Sequence, residues 1–239
     1  MKPMLAIEDL RLSLSGREIF HIEKLVIPKG QVTALVGPNG SGKTSLLLTL
    51  ALLQPATSGT ITFDGALVNG GNPLGLRRRM ALVFQEAMLI DTSVRRNLTI
   101  PLRIRGVPRD EAAARADKWL KRFQVDHLAR RKARQLSGGE AQRTSLARAF
   151  AMEPEMLFLD EPFTALDYPT RKTLLNEMGQ ILKDMSVTTL FVTHDYTEIP
   201  FLASEVVVLN GGRIVKHGTV REILGDEILE RGIWAPWDV

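Results

Sequence analysis

The 239-residue chain contains no cysteine. That absence removes disulfide scaffolds, thiolate zinc sites and cysteine nucleophiles together, and it suits a reducing compartment. Long apolar runs are also missing. The longest, Leu46 to Leu53, falls far short of the roughly 20 residues that a membrane-spanning helix needs. Glu8 and Asp9 stand where a signal peptide would carry its apolar core, so the expectation is a chain that neither crosses a membrane nor is exported. Charge of one sign is not in large excess: 31 Lys+Arg face 27 Asp+Glu, a net +4. Nucleic acid is therefore not an expected partner, and runs such as Arg77-Arg78-Arg79 read as solvated surface. Histidine is scarce, at 4 residues, and His21, His127 and His217 form no ligand cluster.

What is present is ordinary globular material, with 44% hydrophobic and 24% charged residues, enough for one large domain or two small ones. Segments rich in β-branched residues predict strands at Gln31–Val36, Thr60–Phe63, Ala81–Phe84, Met156–Leu159, Thr189–Thr193 and Glu205–Leu209. Helical patterns fall at Lys43–Leu53, Arg109–Phe123, Gly138–Met152 and Tyr168–Lys183. Strands as continuously apolar as Leu157-Phe158-Leu159 suit a sheet covered on both faces, hence parallel pairing. The stretch 88–152 has little strand character and reads as a helical subdomain inserted between two strands of an α/β core. Residues 226–239, with Trp234 and Trp237 around Pro236, read as a packed tail beyond a domain of residues 1–225.

Gly37, Pro38, Asn39, Gly40, Ser41, Gly42, Lys43 and Thr44 fit the phosphate-loop pattern at every fixed position, between an apolar strand and an apolar helix. Glycines let the backbone curl so that several N–H groups face one anion, and the following helix adds the positive end of its dipole. Lys43 supplies charge for the outer phosphates, and the Thr44 hydroxyl is a ligand for Mg²⁺. The apolar strand at Met156 ends in Asp160 and Glu161 before Pro162. Ligands collect at the carboxyl ends of parallel strands, so Asp160 is placed to hold Mg²⁺ opposite Thr44. Glu161, on the other side of the pleat, is placed to polarise an attacking water; its alternative role is a surface cap before Pro162. Gln85 ends another strand, where its amide oxygen suits the metal or the water. His194 follows a core strand on the phosphate side, which favours contact with a γ-phosphate. Ser137, Gly138 and Gly139 before Glu140 open a further helix with a hydroxyl and bare amides. Alone they are a common cap. In this company they suggest a site for the nucleotide of a second copy of the chain.

Together these segments resemble the nucleotide-binding subunit of ATP-binding-cassette (ABC) transporters, from about Met4 to Leu224. The resemblance implies a P-loop α/β core with a mostly parallel sheet, a small antiparallel β subdomain and an inserted helical subdomain. It implies ATP and Mg²⁺, with Ser41 and Lys43 on the phosphates and Thr44, Gln85 and Asp160 on the metal. Glu161 would be the catalytic carboxylate and His194 the γ-phosphate sensor. Ser137 and Gly139 would reach the opposite subunit's nucleotide, and Ala165-Leu166-Asp167 looks like the loop that touches the partner. The implied partners are a second copy in an ATP-sandwich dimer, a separate membrane permease and, indirectly, an extracytoplasmic solute-binding protein. The implied place is the cytoplasmic face of the membrane.

The family docks its permease around a segment matching Gln85–Asn97, where Met88, Leu89 and Ile90 either face the permease or pack inside the helical insert. The chain departs from the family before Gly16, where Ser15 and Leu14 stand in place of an adenine-stacking aromatic; the nearest ring is Phe20. Thr164 stands where the family has a smaller residue. Segments around Phe84–Val94, Leu128–Gln142 and Leu166–Arg171 look like the ATPases of bacterial tungstate importers, and somewhat less like those of molybdate importers. The absence of a C-terminal regulatory domain agrees with the tungstate type. DNA-repair relatives would need a long coiled coil, and no sustained heptad array is present.

Overall fold

The computed structural model describes residues 2–68 and 73–225; the expected tail, 226–239, lies outside the described residues. The chain opens with β1 (Pro3–Leu14) and β2 (Arg17–Pro28). They pair antiparallel and turn on Ser15 (φ 50°) and Gly16 (φ 79°), two positive φ angles that match the twist of a two-residue hairpin. Then come β3 (Val32–Val36), α1 (Lys43–Leu50), β4 (Ser58–Phe63), β5 (Ala66–Leu67), α2 (Pro73–Arg77) and β6 (Met80–Val83). Three helices follow: α3 (Val94–Ile104), α4 (Arg109–Arg122) and α5 (Gly138–Ala151). The rest is β7 (Met156–Asp160), α6 (Tyr168–Met185), β8 (Thr188–Val192), α7 (Ile199–Leu202), β9 (Glu205–Asn210), β10 (Arg213–Thr219) and α8 (Val220–Leu224).

Two sheets result. One runs β2-β1-β4-β5 and is antiparallel; the other runs β10-β9-β3-β8-β7-β6. In the second, β9, β3, β8, β7 and β6 are all parallel, and only the edge strand β10 is antiparallel. Every residue of β7 and β8 is buried, as expected for strands covered on both faces. The pleat splits the core. Val36, Leu157, Leu159, Phe191 and Val208 pack with α3 to α6. Leu35, Phe158, Leu190, Val207 and Leu209 pack with Leu46, Leu47 and Leu50 of α1 and with the inner face of β1 and β2. The first helix is thus held between two sheets, which leaves the loop before it little freedom.

The helices α3, α4 and α5 lie between β6 and β7 in sequence, although β6 and β7 are neighbours in the sheet. Trp119 stacks on Phe150 with centroids 5.2 Å apart, and Phe123 lies 5.5 Å from Phe150, an aromatic set that fixes α4 on α5. Among the described residues no helix is long and apolar enough to cross a membrane.

Most expected boundaries move by one to three residues. The first helix stops at Leu50 and not Leu53, because Leu52 turns left-handed (φ 60°) ahead of Pro55. The β6 strand ends at Val83 and not Phe84, and α6 continues to Met185.

Candidate active site

The loop 37–42 joins the end of β3 to α1, at the carboxyl edge of the parallel sheet. A β-carbon at Gly37 would lie 2.0 Å from the Leu209 carbonyl oxygen, so only glycine lets the loop leave the sheet here. The Lys43 ammonium donates to the Gly37 carbonyl at 2.8 Å and the Pro38 carbonyl at 3.0 Å. Burial pushes its pKa down, against the pull of Glu161 and Asp160. The Thr44 hydroxyl donates to Asp160 Oδ1 at 3.4 Å. Asp160, last residue of β7, is pushed up by burial and by the Glu161 charge, while Thr44 and Lys43 oppose the rise. Both buried charges therefore lack full solvation. A cation beside Asp160 and an anion beside Lys43 would supply it.

A second observation points the same way. The Ser41 hydroxyl oxygen is buried with no hydrogen-bond partner, inside the loop where a phosphate oxygen would accept from it. Thr44 and Asp160 are hard oxygen ligands of the kind Mg²⁺ takes. Among the described residues no cluster of three His, Cys, Asp or Glu could hold a metal alone. The residues thus fit a Mg²⁺ completed by phosphate oxygens and water.

Glu161 reaches its place by a route other than strand alternation. The β7 strand ends at Asp160, and Glu161 is left-handed (φ 45°) with its N–H donating to the Val192 carbonyl at 3.0 Å. A non-glycine residue there carries backbone strain, a recurrent feature of functional sites. The turn sets Glu161 Oε2 3.0 Å from His194 Nδ1, so the imidazole stands directly against the carboxylate. Thr164 donates to the Glu161 carbonyl at 3.2 Å and to Oε2 at 3.5 Å. Of the expected site residues, the structure therefore brings together Lys43, Thr44 and Asp160, and pairs Glu161 with His194. Gln85 is exposed just beyond β6 and makes no hydrogen bond to Thr44, Asp160 or Glu161 among the described residues.

Ser137, Gly138 and Gly139 lie elsewhere. Ser137 caps α5, accepting from the Glu140 N–H, while Glu140 Oε2 accepts from the Ser137 N–H at 2.7 Å. With Ala165, Asp167, Thr170 and Arg143 they line a cleft of 520 Å³ that no residue of the 37–44 loop borders. In the segment 85–97, Met88 is 61% and Ile90 49% exposed, so these two do not pack inside the insert. Asn97 holds the Ile90 N–H and carbonyl, and Arg148 donates to the Met88 carbonyl, so this apolar edge has a fixed backbone. Sequence reasoning missed the support of Glu161 by Thr164. It also missed Gln142, which donates to the Phe84 carbonyl at 3.2 Å and ties α5 to the segment holding Gln85. The Gln142 contact has no sequence signal, since it depends on where separate elements meet; Thr164 follows Glu161 by only three residues, but its contact depends on the left-handed turn at Glu161.

Comparison with known proteins matches residues 21–164 to the family model described as ABC transporter. The spermidine/putrescine import ATP-binding protein PotA of Haemophilus influenzae is 34% identical over 226 residues, covering 94% of this chain and 60% of that protein. The sulfate/thiosulfate import ATP-binding protein CysA of Caulobacter vibrioides is 41% identical over 204 residues, covering 83% of this chain and 60% of that one. The chain thus spans about 60% of the length of these curated relatives. A solved ATP-binding cassette, dimeric in a post-hydrolysis state with ADP and Pi, superposes with a TM-score of 0.82 at 27% identity, covering 91% of this chain and 99% of that one.

Proposed function

This chain belongs to the ABC transporter family, and from that premise we propose that it is the ATP-hydrolysing subunit of an importer. Two copies would close around two MgATP and drive a separate membrane permease, fed by an extracytoplasmic solute-binding protein. The observation that carries the reading is the pairing of Glu161 with His194 beside the Lys43, Thr44 and Asp160 cluster: a binding loop alone has no use for a held carboxylate.

In this reading the 37–44 amides, Ser41 and Lys43 hold the phosphates. Thr44 and Asp160 hold Mg²⁺, which when bound neutralises charge on the phosphate oxygens; Gln85 is assigned to the same metal. Glu161 orients a water and accepts its proton as the water oxygen bonds to the γ-phosphorus and the bond to the leaving ADP oxygen breaks. His194 holds the carboxylate and meets the γ-phosphate. Ser137, Gly138 and Gly139, bordering a cleft apart from the loop, are assigned to the nucleotide of the other copy. The dimeric cassette with ADP and Pi supports that assembly. We assign residues 1–225 to this nucleotide-binding unit, with 88–152 as its helical part, and the exposed Met88 and Ile90 edge to the permease. The chain would sit on the cytoplasmic face of the membrane.

The test is the mass of the Glu161→Gln variant in solution by light scattering. MgATP should convert it to a dimer and MgADP should not; a monomer under MgATP contradicts the sandwich.

For the solute we propose tungstate, with molybdate as the near alternative. Support comes from the segments 84–94, 128–142 and 166–171, and from the similarity to a sulfate/thiosulfate import protein, whose solutes include another tetrahedral dianion. The similarity to a polyamine importer favours the second reading, an importer of a different solute. Elemental mass spectrometry of a strain lacking the gene decides between them. Selective loss of cellular tungsten is expected, and unchanged tungsten and molybdenum contradict the assignment.

A further inference from the structure

Between the two separated parts of the site runs a chain of contacts whose middle links, Arg171 and Asp195, carry no role in the motifs. It starts at the head of α5. A methyl group at Gly139 would come within 3.1 Å of Leu166 Cδ2, so Leu166 lies directly against the start of that helix. Leu166 is 5% exposed, and its carbonyl accepts a hydrogen bond from Arg171 Nη2 at 3.3 Å. The same guanidinium donates through Nη1 to Asp195 Oδ2 at 2.8 Å. Asp195 is the neighbour of His194, whose Nδ1 meets Glu161.

The His194 backbone is anchored on both sides. The Thr193 hydroxyl accepts from the Asp195 N–H at 3.0 Å and donates to the buried Glu198 carboxyl at 2.7 Å. Asp195 Oδ1 accepts from the Thr197 N–H and hydroxyl. With Oδ1 occupied in its own turn, Oδ2 is left for Arg171. Arg171 is therefore a rigid link between the loop carrying Leu166 and the turn carrying His194. A planar fork with two donors suits two fixed acceptors in a way that a single ammonium does not.

We propose that Arg171 is a positioning residue that transmits the state of the Gly139 and Leu166 contact to the His194–Glu161 pair, so that each catalytic carboxylate responds to closure at the other nucleotide. This rests on the reading of the chain as a dimerising ATPase. If a partner's nucleotide presses on the head of α5, Leu166 moves with it, and Arg171 carries that movement to Asp195. The guanidinium itself touches neither the 37–44 loop nor Thr44 and Asp160 among the described hydrogen bonds, so nucleotide affinity should be spared.

The experiment is steady-state MgATP hydrolysis by the wild-type chain and by Arg171→Ala, Arg171→Lys and Asp195→Asn, with thermal unfolding of each. For Arg171→Ala, kcat should fall about tenfold while KM changes by less than about twofold, and the Hill coefficient should drop towards one. Arg171→Lys should recover part of kcat, since it reaches one acceptor. Combining Arg171→Ala with Asp195→Asn should be no slower than the slower single variant. If Arg171→Ala does not fold, the Lys and Asn variants carry the same comparison. Wild-type kcat and Hill coefficient in these variants overturn the proposal, as does a parallel fall of kcat, affinity and melting temperature. A wild-type chain that hydrolyses no ATP overturns the underlying reading and the proposal with it; an active wild type with unaffected variants overturns the proposal alone.

Discussion

Glu198 lies 3% exposed behind the His194 turn, and its carboxyl is pushed up to about 7 from an ordinary 4.5. Burial is the main cause; the Thr193 hydrogen bond and Arg171 oppose it, while the charges of Asp195 and Glu161 add to it. Between those two pH values the folded chain holds a proton that the unfolded chain has released. Stability must then fall as pH rises through that window. Glu198→Gln keeps the shape and removes the ionisation. Its melting temperature should exceed that of the wild type at pH 8 and match it near pH 4.5; a difference independent of pH contradicts this. Asp195 Oδ2, 2.8 Å from Arg171 Nη1, is the nearer of that guanidinium's two carboxylate neighbours, with Glu198 Oε1 at 3.9 Å. At this scale much of the site was legible in sequence. Lys43 and Thr44 follow from one local pattern, and Asp160, Glu161 and His194 from their positions at the ends of apolar strands. Arg171 and Asp195 were not legible as a pair, because they come from different elements and nothing local marks their contact. Glu161 was expected at this edge, but its orientation was assigned to strand alternation when a left-handed turn produces it.

At the scale of elements, strands with buried residues on both faces and helices with marked caps were the readable ones. Helix α5 starts at the Ser137 and Glu140 capping box, and α6 at Asp167, whose side chain accepts from the Thr170 N–H. Both starts are written in the sequence as a polar residue before an apolar-faced segment. The long strands β1 and β2 were missed for a physical reason. Asp9 is left-handed (φ 46°), and the register against β4 slips between Glu8 and Arg11. Burial therefore alternates through Leu5 and Ile7, then resumes at Leu10 and Leu12. A bulge of this kind breaks the period of two that marks a strand. Gly59 in β4 accommodates it, since a β-carbon there would lie 2.3 Å from the Asp9 carbonyl oxygen. The edge strand β10 has no buried side chain and so no hydrophobic pattern to read. Helix α3 holds Pro101, which masks it to any propensity argument.

For the whole molecule, the two-faced core explains why the site sits where it does. The helix α1 is packed between the sheets, its loop faces the carboxyl edge of the parallel strands, and the elements that carry Asp160, Glu161 and His194 end on that edge. The head of α5 opens on a different cleft. Under the proposed sandwich, the head of α5, which borders a cleft that the 37–44 loop does not line, would serve the nucleotide of a second copy. The central claim is that Glu161 drives hydrolysis at a nucleotide held by the 37–44 loop. Its most direct test is the rate of phosphate release from MgATP by the purified chain and by Glu161→Gln, with nucleotide binding measured alongside. The account predicts retained binding and a rate lower by about a hundredfold or more. Equal rates in the two proteins would contradict it.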